Sequence, residues 1–206
     1  MIRRFTVPTL AFALVATLAA CGSDDSPSAD TAATETAAAA EAPSTTPAGN
    51  AALNDADVEF AQGMIAHHEQ AVEMAEIALD PNRQAGAEVT DLATRIQAAQ
   101  EPEIEQMTAW LTAAGESITM DMSEGHDMSS MEGMMTAEQM DALAVATGTE
   151  FDTMWLEMMI AHHEGAISQS QTVKANGSNP DVLTLADQII AAQQGEIAEM
   201  QALLQG

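Results

Sequence analysis

The chain has 206 residues with 32 acidic against five basic side chains, a formal charge of -27, one cysteine and only 3% aromatic residues. Such a field repels nucleic acid and anionic lipid and draws cations, although acidity of this kind also keeps a protein in solution. A single cysteine rules out an intramolecular disulfide, and the length left after the amino-terminal segments suits one domain.

Residues 1–20 read as an export signal, since Arg3 and Arg4 precede an apolar run that is short for a membrane span. Leu18, Ala19 and Ala20 before Cys21 resemble a lipobox, which implies cleavage at Cys21, lipidation of its sulfur and anchoring to the outer face of the cell membrane or the periplasmic side. An ordinary signal peptide with an incidental cysteine is the alternative. Residues 21–52 are rich in Ala, Thr, Ser, Pro and acidic side chains and read as a disordered tether.

Residues 53–206 contain one unit written twice. FAQGMIAHHEQAV at residues 60–72 recurs as WLEMMIAHHEGAI at 155–167, and IQAAQEPEIEQM at 96–107 recurs as IIAAQQGEIAEM at 189–200. Apolar residues around the first phrase (Phe60, Met64, Ala71, Val72, Ala75, Leu79) have helical spacing, so a helix is expected from Asn54 or Asp55 to just before Asp80-Pro81-Asn82. A second helix is expected from about Gln84 to Ala113, with a kink ahead of Pro102, where the second copy has Gly195. The second half predicts one helix from about Ala137 to Ala175, a turn over residues 176–180 and a last helix from Asp181 to Leu204. Two helical hairpins with one apolar stripe each bury those stripes against one another, giving an all-α four-helix bundle with pseudo-two-fold symmetry. Residues 116–136 then form the loop between hairpins.

At 100° per residue, His67 and His68 flank the centre of the apolar face, with Met64 one turn before His68; His162, His163 and Met159 repeat this. Gln100, Glu103 and Met107, and likewise Gln193, Glu196 and Met200, share the stripes of the second and fourth helices. Counting from the turn near Asn82 sets His68 level with residues 96–100, and His163 level with 192–196. An inner zone of imidazoles, carboxylates and thioethers must satisfy itself as a structural polar layer or hold a cation. As ligands, His68 and His163 come first, with His67 and His162 as a second site or as supporting groups.

Between Ile118 and Met140, seven of 23 residues are methionine: Met120, Met122, Met128, Met131, Met134, Met135 and Met140, with His126 among them. Thioethers on an otherwise polar loop suit Cu(I), and silver for the same reason. Methionine also fills gaps and absorbs oxidants.

The phrases F-x-x-x-M-I-x-H-H and Q-x-x-E-I-x-x-M resemble the exported bacterial family known as domain-of-unknown-function family 305, over roughly residues 55–204. That resemblance implies a ferritin-like fold and an extracytoplasmic protein, and some members of the family bind copper. The matching positions are Met64, His67, His68, Gln100, Glu103 and Met107, then Met159, His162, His163, Gln193, Glu196 and Met200.

The leading expectation is a lipid-anchored protein that sequesters or transfers Cu(I), with another transition metal as the variant. A copper-delivery partner and a homo-oligomer are both compatible with it. A ferritin-like di-metal oxidase is the enzyme alternative; it needs Glu-x-x-His on two helices, and neither His pair has Glu three residues earlier. A metal-free envelope interaction module with a structural His–Glu core is the third reading.

Overall fold

Asn54 and Asp57 close a reciprocal capping box, each side chain accepting from the other's backbone N–H at 2.9 Å, and so start helix α1, Asp55–Leu79. The computed structural model describes residues 52–120 and 131–206, within the compact unit Pro47–Gly206. Cys21, the expected export signal, residues 21–51 of the tether, and Met122, His126 and Met128 lie outside the described residues. After α1, Asp80 caps a single 3-10 turn over Pro81–Arg83, and Gln84 takes the left-handed conformation (φ 53°) that reverses the chain. Helix α2, Ala87–Ala114, runs unbroken through the exposed Pro102 and stops at Gly115, whose φ of 77° suits a residue without Cβ.

The second hairpin departs from the expectation of one long helix over residues 137–175. A short helix α3, Ala137–Val145, ends at Ala146, and α4 spans Gly148–Asn176. Ala146 and Thr147 are extended and Gly148 has φ 61°, so a β-branched residue and a glycine, both poor helix formers, make the break. Arg83, from the turn of the first hairpin, donates to the carbonyls of Ala144 and Ala146 that the break leaves without helical partners. Helix α5, Pro180–Leu204, begins with Asn179 accepting from the Asp181 and Val182 amides and with Pro180 in the first turn.

Helices α1 and α4 pack against each other, with α2 on α1 and α5 on α4. The four long helices form a bundle of two repeated hairpins, with α3 as an addition, and no strand occurs among the described residues. Each hairpin grips the other's turn. Asp57 of α1, fully buried, accepts from the Ser178 and Asn179 amides at 3.1 Å, while Asp152 of α4 accepts from the Gly86 amide at 2.9 Å. Trp155 of α4 is fully buried and donates its indole N–H to the Met74 carbonyl of α1 at 2.9 Å. None of the described helices is long and apolar enough to cross a membrane.

The apolar interior comes in two parts. Phe60, Met64, Met107, Leu111, Val173 and Leu185 belong to one cluster. Met74, Leu92, Ile96, Phe151, Trp155, Met159 and Met200 belong to the other. Along every long helix the residues between these clusters are the polar ones: His67 and His68, Gln100 and Glu103, His162 and His163, Gln193 and Glu196.

Candidate metal centre: a buried polar layer between two apolar cores

All four histidines are completely buried, and Gln100 and Gln193 are 3% exposed. His68 Nε2 lies 2.8 Å from Glu103 Oε2, and His163 Nε2 lies 2.7 Å from Glu196 Oε2. The glutamates keep a little contact with solvent, with side chains 21% and 16% exposed. Glu103 lies nearly one turn further along α2 than residues 96–100, which counting from the turn sets level with His68, whereas Glu196 falls within the 192–196 expected for His163. Helical side chains lean toward their own amino terminus, so in an antiparallel hairpin His68 leans away from the turn while Glu103 leans toward it. Their tips meet although their Cα atoms are offset.

His67 and His162 occupy the centre. Their ring centroids are 3.8 Å apart with planes inclined by 42°, and it is these two, rather than His68 and His163, that meet across the α1–α4 interface. Burial, reinforced by the neighbouring His68, pushes the His67 pKa from 6.5 down to about 3. His162 is held well below 6.5 by burial first and by His67 next. Both rings are therefore neutral at physiological pH.

The hydrogen positions follow from the partners. His67 Nε2 faces the Glu132 main-chain carbonyl at 3.3 Å; a carbonyl only accepts, so Nε2 carries the hydrogen. A carboxylate oxygen likewise accepts, so Glu103 and Glu196 draw the Nε2 hydrogens of His68 and His163. In the neutral His67 ring this leaves the lone pair on Nδ1, and among the described residues Nδ1 of His67, His68 and His163 finds no hydrogen-bond partner. Among the described residues neither nitrogen of His162 makes a hydrogen bond of good geometry, and the nearby His67 main chain only slightly raises its proton affinity. The Gln100 and Gln193 Oε1 atoms are likewise unpartnered. Buried acceptors without donors cost about 1–3 kcal/mol each, a cost that a bound group supplying a partner would remove.

Met64 and Met107 border the layer on one side and Met159 and Met200 on the other, all fully buried. Of the methionine-rich connection, Met135 is buried in the apolar cluster, and Met120, Met131 and Met134 are partly buried. Met120 and Met131 line a cavity of about 480 Å³ together with Glu59, Gly63, Glu132 and Gln169. Among the described residues, no group of three or more His, Cys, Asp or Glu side chains is arranged to hold a metal ion.

Sequence reasoning missed the groups that cover this layer. Gln70 donates to the Met135 carbonyl at 2.9 Å and accepts from its amide at 2.7 Å. Gly165, the counterpart of Gln70 in the second repeat, lies against Gly133, where a Cβ on Gly165 would come within 2.0 Å of the Glu132 carbonyl oxygen. The signal was present as a mismatch between otherwise matching phrases, HHEQAV against HHEGAI.

A four-helix bundle of two repeated hairpins with a buried His, Gln, Glu and Met layer is thus the class that fold and site define. The chain belongs to the family described as Domain of unknown function (DUF305), whose model matches residues 57–204. Among solved structures it is similar to a DUF305 protein of Streptomyces coelicolor described as secreted, at 29% identity over 72% of this chain and 91% of that one, with a TM-score of 0.65. A DUF305 fragment from Deinococcus radiodurans is 30% identical over 75% of this chain and 98% of that one, with a TM-score of 0.66. CopM in its Cu(II)-bound form is 33% identical over 72% of this chain and 95% of that one, with a TM-score of 0.61. CopM has also been solved in Cu(I)-bound and silver-bound forms. No curated protein matches the chain.

Proposed function

We propose that this chain is an extracytoplasmic copper-binding protein, held to the membrane through lipidated Cys21 and the tether of residues 21–52, that sequesters or transfers Cu(I). The observation that carries the reading is the direction of the imidazoles. His67, His68 and His163 each turn Nε2 to a carbonyl or carboxylate and leave Nδ1 unpartnered in the interior. A histidine that ligates a metal characteristically gives its other ring N–H to such an oxygen, which fixes the tautomer and raises the basicity of the ligating nitrogen. With Met64, Met159, Met107 and Met200 adjoining, the donor set of imidazole and thioether is soft and suits Cu(I), with Ag(I) as its chemical stand-in. The copper-bound and silver-bound CopM structures support the choice of ion.

Within the site, His67 and His162 supply the central nitrogens. Glu103, Glu196 and the Glu132 carbonyl orient rings. The thioethers of the connection, among them Met120, Met122, Met128, Met131 and Met134, with His126, offer a first contact for the ion.

The metal-free interaction module stays as a second reading, because the closed His68–Glu103 and His163–Glu196 pairs would also serve a purely structural layer. Thermal melting separates the two. A ligand that binds only the native state at about 1,000 times its Kd stabilises it by about 4 kcal/mol, about 10 °C for a chain of this size. Copper(I) or silver(I) should raise the melting temperature by that amount, and a His67→Gln/His162→Gln variant should lose most of the rise. A melting temperature indifferent to copper, silver, zinc and chelators would select the structural reading.

A further inference from the structure

We propose that residues 131–136 form a cover over His67, one of the two central imidazoles, and that this cover must lift for an ion to enter or leave the layer. The inference rests on the reading that the interior holds an ion.

The segment crosses the outer side of the α1–α4 groove and is fastened to both helices. On α1, the Gln70 side-chain amide grips Met135 through two hydrogen bonds of 2.9 and 2.7 Å. On α4, Ser168 donates to the Glu132 carboxylate at 2.7 Å. Between these ties, Gly133, at φ 84°, brings main chain onto main chain: a Cβ there would lie 2.7 Å from the Ala161 carbonyl oxygen and 3.0 Å from that of His162. This contact seats the Glu132 carbonyl against His67 Nε2. The segment therefore sits directly over His67 and sets its tautomer.

The internal duplication points the same way. The two repeats agree at every histidine of the layer but differ at Gly63 against Met158 and at Gln70 against Gly165. Three of these four positions touch the connection or its neighbours: Gly63 lies under Met120 and Met131, Gln70 binds Met135, and Gly165 receives Glu132 and Gly133. Glycine within a helix is disfavoured relative to alanine by about 1 kcal/mol, so α4 gives up helix stability at Gly165 to admit the segment.

The ties are few and mostly polar, with Met135 as the one deeply buried side chain among residues 131–136. Segments held in this way open at a small fraction of the cost of global unfolding. The thioethers of Met131 and Met134 lie on the cover itself, partly buried, so an ion captured there would move with it.

The test uses the full chain carrying Gly165→Ala, which blocks the main-chain contact, beside Gly195→Ala, whose Cβ would meet nothing within 4 Å. Two quantities are read: modification of His67 by diethyl pyrocarbonate in metal-free protein, and the rate at which bound Ag(I) passes to a competing chelator. Both should rise by on the order of tenfold in Gly165→Ala and stay unchanged in Gly195→Ala. Gln70→Ala removes both bonds to Met135 without adding atoms and should act in the same direction, which keeps the test decisive should Gly165→Ala fail to fold. His67 as unreactive in both variants as in the parent overturns the proposal. So does a reactive His67 with an unchanged silver rate, and in that case the interior site stands. A parent chain that takes up no silver defeats the underlying reading and the proposal together, while the modification assay would still report whether the segment opens.

Discussion

The metal-free protein should lose stability as the pH falls from 8 to 5. Burial pushes His67 from 6.5 to about 3 and holds His162 well below 6.5, whereas in the unfolded chain both rings take a proton near 6.5. Below that pH the unfolded state binds more protons than the folded one, so acid favours unfolding. The loss begins near pH 6.5 and continues until His67 takes its proton in the folded state near pH 3. At about 1.4 kcal/mol per pH unit, each ring contributes a loss of about 2 kcal/mol by pH 5, about 4 for the two. The 32 acidic side chains barely offset this above pH 5, because ordinary carboxylates titrate near 4. Urea denaturation of chelator-treated protein is the assay. With a slope of about 2 kcal/mol per molar, the midpoint should fall by about 2 M between pH 8 and pH 5, and the His67→Gln/His162→Gln variant should show a flatter profile. A parent midpoint that holds or rises on acidification would refute the assignment of two buried neutral rings.

Asp57→Ala should lower stability by about 3 kcal/mol, because it strips the Ser178 and Asn179 amides and the Asn54 cap of their acceptor; calorimetry should find a melting temperature about 10 °C lower, and a change of only a degree or two would show that the carboxylate is dispensable. Met64→Leu/Met159→Leu nearly conserves volume in the core and should cost under about 1.5 kcal/mol per site, yet weaken silver binding by about tenfold in a calorimetric titration; unchanged affinity would remove both thioethers from the site.

Much of the architecture was legible because it is periodic. Phe60, Met64 and Ala71 mark a helical face, Asn54 marks its start, and the inward direction of His67, His68, Gln100 and Glu103 follows from 100° per residue. The level of contact was less legible: His68 reaches Glu103 rather than Gln100, because side-chain lean adds to backbone register. The break at Ala146-Thr147-Gly148 escaped notice, since what completes it is Arg83, more than 60 positions away. The same holds for Gln70 on Met135 and for Glu132 on His67, each separated by 65 positions. Local propensity says nothing of such partners, and hydrophobic patterning says little, because the groups involved are polar.

The duplication separates what the bundle needs from what was added to it. Two-fold repetition alone yields the paired His68–Glu103 and His163–Glu196 contacts and the facing His67 and His162 rings, so the layer is a property of the repeat. A symmetric layer would leave His67 and His162 equivalent. They are not: His67 gives its Nε2 hydrogen to the Glu132 carbonyl, while among the described residues neither nitrogen of His162 makes a hydrogen bond. The difference comes from the connection between hairpins, which occurs once and can cover only one of two related positions. The two central rings therefore differ in how firmly they are oriented: the Glu132 carbonyl fixes His67, whereas His162 has only the weaker influence of the His67 main chain.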